Sequence, residues 1–187
     1  MTGIVNSTGA RSGVIGTTVG TPVGGKVLQV QHGFVGNVAS TTVYASPGTT
    51  TGLAVAITPA ASTSKIFLQV SIGMASSDGG TGTVGFNIYS SLTTGIIGIG
   101  NAASSRLGIL ARSTPNWNGD ANHGAGTSFS YIDSPTGWSS GAITYTVYMW
   151  GEVSGTRYIN RSSGDTNSTD VHSTRTSSTI SAIEIGV

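Results

Sequence analysis

Three oxygen-bearing residues near the C-terminus have the spacing that opens a calcium-binding loop. Asp165, Asn167 and Thr169 occupy alternate positions, and Ca²⁺ takes carboxylate, amide and hydroxyl oxygens at such a spacing. The glycine of the loop is replaced by Asp170, and the position of its bidentate glutamate holds Thr176. Because both parts are missing, the pattern favours a polar turn between strands, and we expect no bound metal.

A glycine pattern in the middle of the chain resembles a dinucleotide fingerprint. Gly98, Gly100 and Ala103 match it, and Asp120 lies 20 residues after Gly100. The chemistry needs a strand that turns into a helix, whose N-terminus then holds the pyrophosphate. Gly108 would interrupt that helix, and a chain with 29 glycines produces chance matches. We therefore expect no nucleotide cofactor.

Candidate catalytic residues are scattered. His32, His123 and His172 are far apart, and although Asp120 lies near His123, abundant serines make a Ser-His-Asp set uninformative. The chain has no Gly-x-Ser-x-Gly motif, and its seven acids form no pair in an aromatic motif of the kind glycoside cleavage uses. The sequence thus predicts a protein that is not an enzyme, with a secreted glycan hydrolase as the last alternative.

Two tryptophans lie in segments rich in turn-forming residues. Trp117 stands in PNWNGD beside Asp120, and Trp138 follows Pro135-Thr136-Gly137. Exposed aromatic rings beside Asn and Asp suit stacking on a sugar, so Trp117, Asp120 and Trp138 are candidate contacts to a host glycan. The favoured interpretation is that each indole closes the end of a sandwich or a subunit seam.

Period-two alternation indicates the elements that position these residues. The clearest strand covers residues 66–74. Its apolar side chains at every second position, which place them on one face, are Ile66, Leu68, Val70, Ile72 and Met74. Further strand candidates are residues 26–38, 53–57, 84–88, 106–112, 128–132, 143–150, 157–160 and 179–185. In residues 143–150 the second side carries Tyr148 and Trp150, so we expect both faces of this strand to be covered.

Helix patterns are nearly missing, since only residues 102–107 suit one helical turn. Several short strands separated by Gly, Ser, Asn and Pro predict an all-β antiparallel sandwich or jelly roll over residues 26–187. Residues 1–25 predict an extended N-terminal arm, because they sustain no period. Alone, the arm cannot bury enough apolar surface to order itself, so its Ile4, Val5, Arg11, Val14 and Ile15 are candidate contacts that anchor it to a partner.

The amino-acid composition limits the classes of partner that we expect this protein to bind. Only 8% of the residues are charged and the net charge is +1, so the basic patch that a nucleic-acid binder needs is missing. No apolar stretch reaches the roughly 18 residues of a membrane helix, and the start of the chain does not look like a signal peptide. Cysteine is absent. The low charge, together with two covered faces of the strand at 143–150, favours a symmetric homotrimer.

Four phrases in a fixed order carry a family resemblance. The first combines residues 52–59 (GLAVAITP) with residues 64–66 (SKI). The other three are residues 131–135 (YIDSP), 158–162 (YINRS) and 175–180 (RTSSTI). In this order the chain resembles a β-sandwich module of phage virion proteins, often labelled tail-fibre-like, from phages of aquatic bacteria. The resemblance implies a virion component without catalytic residues, trimeric, that acts through its surfaces.

The short front of the chain favours one role within that family. About 25 residues precede the module, whereas a tail fibre usually carries a long anchoring and shaft region. We therefore expect a capsid cement or decoration protein in the virion, bound to the major capsid protein through its arm. The alternative is a tail-fibre or receptor-binding module that recognises host surface glycans.

Overall fold

The computed structural model describes residues 25–78, 82–104, 107–114, 123–151, 155–169 and 174–186. All regular elements in these ranges are β-strands, so the expected all-β class is confirmed. The strands are β1 (Lys26–Val35), β2 (Ala39–Thr41), β3 (Thr49–Ile57), β4 (Lys65–Ser77), β5 (Val84–Ser90), β6 (Gly95–Ile97), β7 (Ala111–Ser113), β8 (Ala125–Asp133), β9 (Ile143–Gly151), β10 (Arg157–Ile159) and β11 (Ser178–Gly186). No helix in the described ranges is long and apolar enough to cross a membrane.

The first sheet is built around β4, the longest strand. One side of β4 pairs with β11 and, further along, with β10, while the other side pairs with β8. Strand β1 pairs with β11 and forms one edge of the sheet, and β2 extends β10. All these pairs are antiparallel. The order β1-β11-β4-β8 therefore makes a four-stranded platform.

The second sheet has the order β3-β9-β5-β6, and β7 also pairs with β5. Its pairs are antiparallel too. The two sheets pack face to face because each central strand directs every second side chain, mostly apolar, into the space between them. Leu68 on β4, Phe86 on β5 and Val147 on β9 are fully buried between them. This is the antiparallel sandwich that the alternation predicts.

Two buried side chains of charged residues, Arg157 and Glu184, form hydrogen bonds between separate segments at the edges of the sandwich. The Arg157 side chain is fully buried and donates from Nε to the carbonyl of Thr83 at 3.2 Å. The Glu184 carboxylate is also fully buried and accepts hydrogen bonds from Gln29 at 2.6 Å and from the Ala60 amide at 2.7 Å. Burial by itself would raise the pKa of Glu184, but hydrogen bonds from the Gln29 side chain and the Ala60 amide outweigh it and lower the pKa.

Local details differ from the sequence expectations. The helical turn expected at 102–107 is not formed in residues 102–104 or 107. Within residues 106–112, regular strand begins only at Ala111, as β7. The three-residue strands β2 and β6 were not expected, because segments this short are too brief to establish a period and are held by their neighbours in the sheet.

Candidate interaction face

The outer side of the first sheet carries an apolar row from one edge to the other. Val30, Ile183, Phe67 and Ile132 are directly paired across β1, β11, β4 and β8. Directly opposite residues of antiparallel strands point to the same side, so these four side chains form one continuous row. Val30 is 56% exposed and Ile132 is 51% exposed. We call the side formed by β1, β11, β8 and residues 65–71 of β4 the outer face.

The rows beside this apolar row are small and mostly uncharged. One continues through His32, Ser181, Gln69 and Ser130, in which His32 Nδ1 lies 3.2 Å from the Ser181 hydroxyl. The next contains Phe34, which is 65% exposed. On the other side of the apolar row, Val27 and Ile185 pair and Lys65 follows. The resulting surface has one apolar row, with further apolar side chains at Val27, Ile185 and Phe34, among polar and mostly uncharged side chains.

No carboxylate from the described residues lies on this face. Its nearest candidates point elsewhere, since Glu184 and Asp133 are buried on the inner side. The Tyr145 hydroxyl donates to Asp133 at 2.7 Å, and burial followed by this contact raises the Tyr145 pKa. Lys65 lies at the margin, so the face offers shape and apolar area to a partner and few groups for ion pairing.

A charged cluster lies beyond the far end of β4. Asp165, which would open the calcium loop, accepts from Arg161 Nη1 at 2.7 Å and from Arg175 Nε and Nη2 at 2.9 and 2.7 Å. Partial burial would raise the pKa of Asp165, but the hydrogen bonds from Arg161 and Arg175 outweigh it and lower the pKa. The Arg161 guanidinium lies 3.8 Å from the centre of the Tyr158 ring. Both carboxylate oxygens are therefore engaged by guanidinium groups.

Asn160 joins two of the phrases that carry the family resemblance. Its backbone has a left-handed φ of 65°, which an asparagine tolerates better than most residues. Its side-chain amide donates to the carbonyls of Val35 and Asn37, both at 3.0 Å, and its side-chain oxygen accepts from Ser178 at 2.7 Å. The phrase at 158–162 thus holds the end of β1 and the start of β11 together, a structural role that the sequence did not reveal.

The predicted glycan contacts are only partly described. Trp117 and Asp120 lie outside the described residues, as do arm residues Ile4, Val5, Arg11, Val14 and Ile15. Trp138 is half-buried against the core, and its indole N–H donates to the Gly141 carbonyl at 2.9 Å. The hydrogen-bond donor that a sugar would use is therefore engaged locally, and glycan binding stays a prediction.

The fingerprint glycines lie in a different setting from the one that a dinucleotide needs. Gly98 follows β6 with a φ of 70°, and the Gly100 amide donates to the Ile109 carbonyl at 3.2 Å. No helix follows in residues 98–104 or 107–114. The helix N-terminus that would hold a pyrophosphate is thus missing from these ranges. Likewise, the described residues contain no group of three His, Asp or Glu side chains that could hold a metal ion.

The outer side of the second sheet has a cover from its own chain. Trp150 on β9 is 8% exposed and lies over Gly85. The segment before β3 folds onto this side, where Ser46 accepts a hydrogen bond from Asn87 at 3.1 Å and the Val43 carbonyl accepts from Gly151 at 2.8 Å. Trp150 is therefore covered without a second subunit, whereas Tyr148 on the same side is half-buried. The burial of Trp150 thus no longer argues for a trimer.

Compared with known proteins, the sequence matches no family model and no curated protein. The resemblance to phage virion modules consequently stands on the quoted phrases alone. The features that bear on function are the outer face and the engagement of the described carboxylates.

Proposed function

We propose that this chain is a non-enzymatic structural protein of a phage virion, which works by association. The preferred role is a capsid cement protein that bridges major capsid protein subunits, attached through residues 1–25 and assembled as a homotrimer. The observation that carries the proposal is the outer face, where the exposed Val30 and Ile132 and the half-buried Phe67 share one row. Apolar patches of this kind mark association surfaces.

The state of the acids supports association over catalysis. Each carboxylate in the described ranges already accepts a hydrogen bond from a side chain that stabilises the fold. The donors are Tyr158 for Asp78, Tyr145 for Asp133, Arg161 and Arg175 for Asp165, and Gln29 for Glu184. A general acid or base needs a carboxyl group that can reach a substrate. Asp133 and Glu184 are buried and Asp165 is held by two guanidinium groups, whereas Asp78 is exposed.

The location of the protein on the particle distinguishes a capsid cement protein from a tail-fibre module. Labelled protein added to particles that lack it should decorate the whole head if it is a cement protein. Label confined to the tail would favour the alternative, a tail-fibre module that binds host glycans. Trp138, half-buried beside the turn at 135–137, is the described residue to replace in that case.

A pelleting experiment tests the attachment surface. Ile132→Lys places a charge in the apolar row, so particles should carry less of the variant to the pellet if the outer face adds to the attachment through residues 1–25. Ala56→Lys, at an exposed position on the outer side of the second sheet, is the matched control and should pellet like the parent. Deletion of residues 2–20 should also abolish pelleting while leaving a soluble, cooperatively folding domain. Full binding by Ile132→Lys would contradict attachment through the outer face.

The oligomeric state has an independent test. Light scattering of the purified full-length protein should give a mass near three protomers, because the virion modules that it resembles imply a trimer. A clean monomer at micromolar concentration would contradict the trimer while leaving the attachment surface open to the pelleting experiment.

A further inference from the structure

Strand β8 is an edge of the first sheet. It pairs with β4 from Thr127 to Asp133 without a break in register. No other described strand pairs with it, and no described loop forms a backbone hydrogen bond to residues 127–132. In an antiparallel pair, every second residue directs its backbone N–H and C=O groups away from the neighbouring strand. The side of β8 that faces away from β4, which we call its free edge, therefore offers backbone donors and acceptors to a further strand.

The opposite edge of this sheet, β1, is protected in ways that β8 is not. Natural sheets protect an exposed edge with bulges, with charged side chains or by covering it. The register of β1 shifts between Val27 and Gln29, and the Gln29 side chain donates to the Thr58 carbonyl at 2.7 Å. Gly33 lies so close to the Ala54 carbonyl of β3 that a Cβ there would overlap it. The edge of β1 is thus partly covered by the second sheet.

The free edge of β8 has none of these protections along residues 127–132. This stretch reads TSFSYI and contains no charged residue and no proline. Ser128 and Ile132 are exposed on the outer face, while Phe129 and Tyr131 on the inner side are only half-buried. An uncharged, regular edge of this kind is a template for pairing with another chain.

A second copy of the same strand fits this edge. Two identical strands related by a twofold axis pair antiparallel, and opposite residues point to the same side. The half-buried Thr127, Phe129 and Tyr131 therefore face the same three side chains of the copy, and aromatic and β-branched residues form stabilising cross-strand pairs. Because residues 127–132 carry no charge, no like charges oppose each other within this stretch.

We propose that two copies of this chain pair their β8 strands about a twofold axis, so that the first sheet continues from one protomer into the other. The contact consists mainly of backbone hydrogen bonds and leaves the outer face open. It does not rest on the proposed function. The contact joins two protomers, or two trimers where the proposed trimer also forms.

Charges placed on the free edge test the pairing. Ser128→Lys with Ser130→Lys brings ammonium groups of the two copies together near the axis and should weaken association at least about tenfold. The matched control is Ser71→Lys with Gln69→Lys, since these residues pair directly with Ser128 and Ser130 but lie on β4, away from the edge. Both double variants gain the same charge and lose the 3.3 Å hydrogen bond between Ser128 and Ser71. The control should associate like the parent.

Sedimentation velocity of the purified full chain without particles, from about 1 to 100 µM, gives the species present. The parent should form a dimer, or a hexamer where the trimer also forms, and the edge variant should dissociate to monomer or trimer. A parent that stays a monomer or a closed trimer at the highest concentration would overturn the pairing. Equal association of the two double variants would also overturn it, and equal dissociation would assign the contact to the outer face.

The same measurement separates this proposal from the trimer proposed above. A dimer that dissociates only in the edge variant supports the β8 contact and contradicts the trimer. A closed trimer supports the trimer and contradicts the β8 contact.

Hydrogen exchange distinguishes strand pairing from a contact between side chains. In the associated parent, every second amide of residues 127–132 should bond to the copy and exchange at least about tenfold more slowly than in the edge variant. Amides of residues 66–71 on β4 are the internal reference, because this stretch pairs with β11 and β8 of its own protomer. They should exchange equally in both proteins. Unchanged exchange in β8, at a concentration where the parent is associated, would contradict the pairing.

Discussion

The outer sides of the two sheets both carry large apolar side chains, but these side chains are covered to different extents. On the second sheet, Trp150 is 8% exposed because the segment that contains Ser46 folds over it and bonds to Asn87. On the first sheet, Ile132 and Val30 stay more than half exposed in the same apolar row. One side is finished by a loop between consecutive strands, and the other is left to something outside the described fold.

The difference shows that large side chains on a strand do not by themselves identify a subunit interface. The aromatic residues of β9 gave the stronger sequence pattern, yet Trp150 is covered within its own chain and only Tyr148 stays half-buried. The row of single apolar residues on four separate strands gave no pattern along the chain. It exists only because β1, β11, β4 and β8 pair in the observed register.

The largest expected effect comes from removing the covered aromatic residue. Trp150→Ala should lower the free energy of unfolding by about 3–5 kcal/mol, the usual cost of deleting a buried Trp side chain. Phe67→Ala, on the outer face, should cost no more than about 1.5 kcal/mol because its ring is half-buried. Urea denaturation of both variants makes the comparison. A Phe67→Ala variant as unstable as Trp150→Ala would mean that the outer face is as fully covered as the second sheet.

A smaller loss of stability is expected at Glu184. Its carboxylate accepts hydrogen bonds from Gln29 on β1 and from Ala60 in the loop after β3. Glu184→Gln should cost about 1–3 kcal/mol near neutral pH, because buried hydrogen bonds to a charged acceptor weaken. The folded pKa of Glu184 lies below its ordinary value of 4.5. Its contribution is therefore fully present above about pH 4.5 and is lost as the pH falls through the folded value.

Denaturation curves of the parent and Glu184→Gln between neutral pH and pH 3 provide the check. The gap between the two proteins should narrow as the pH falls. A gap that stays constant over this range would mean that the carboxylate does not carry the interaction in its charged form.

No effect at all is expected from metal removal. Asp165 is held by Arg161 and Arg175 through both of its oxygens, which leaves it poorly placed to bind calcium. A chelator should leave the melting temperature unchanged, as measured by differential scanning calorimetry with and without EDTA. A drop of several degrees would reveal a metal site that stabilises the fold.

Long alternating strands were predictable from the sequence. Residues 66–74 fall within β4, residues 84–88 within β5 and residues 179–185 within β11. In each of them apolar side chains recur at every second position, which is a local property of the chain. By contrast, β2 and β6 are three residues long. Pairing holds them in place, β2 with the distant β10 and β6 with the preceding β5. The arm and the loop that holds Trp117 stay as predictions, since both lie outside the described residues.

The sequence by itself determined the fold class of the protein: all-β, with the apolar alternation that builds a sandwich. It could do so because alternation and composition are written along the chain. Only the tertiary structure decided that Asp165 accepts hydrogen bonds from two arginines and that a loop covers Trp150. It alone also decided that four residues from separate strands form one apolar row. Each depends on strand register and on contacts between segments far apart in sequence, which a one-dimensional pattern does not encode.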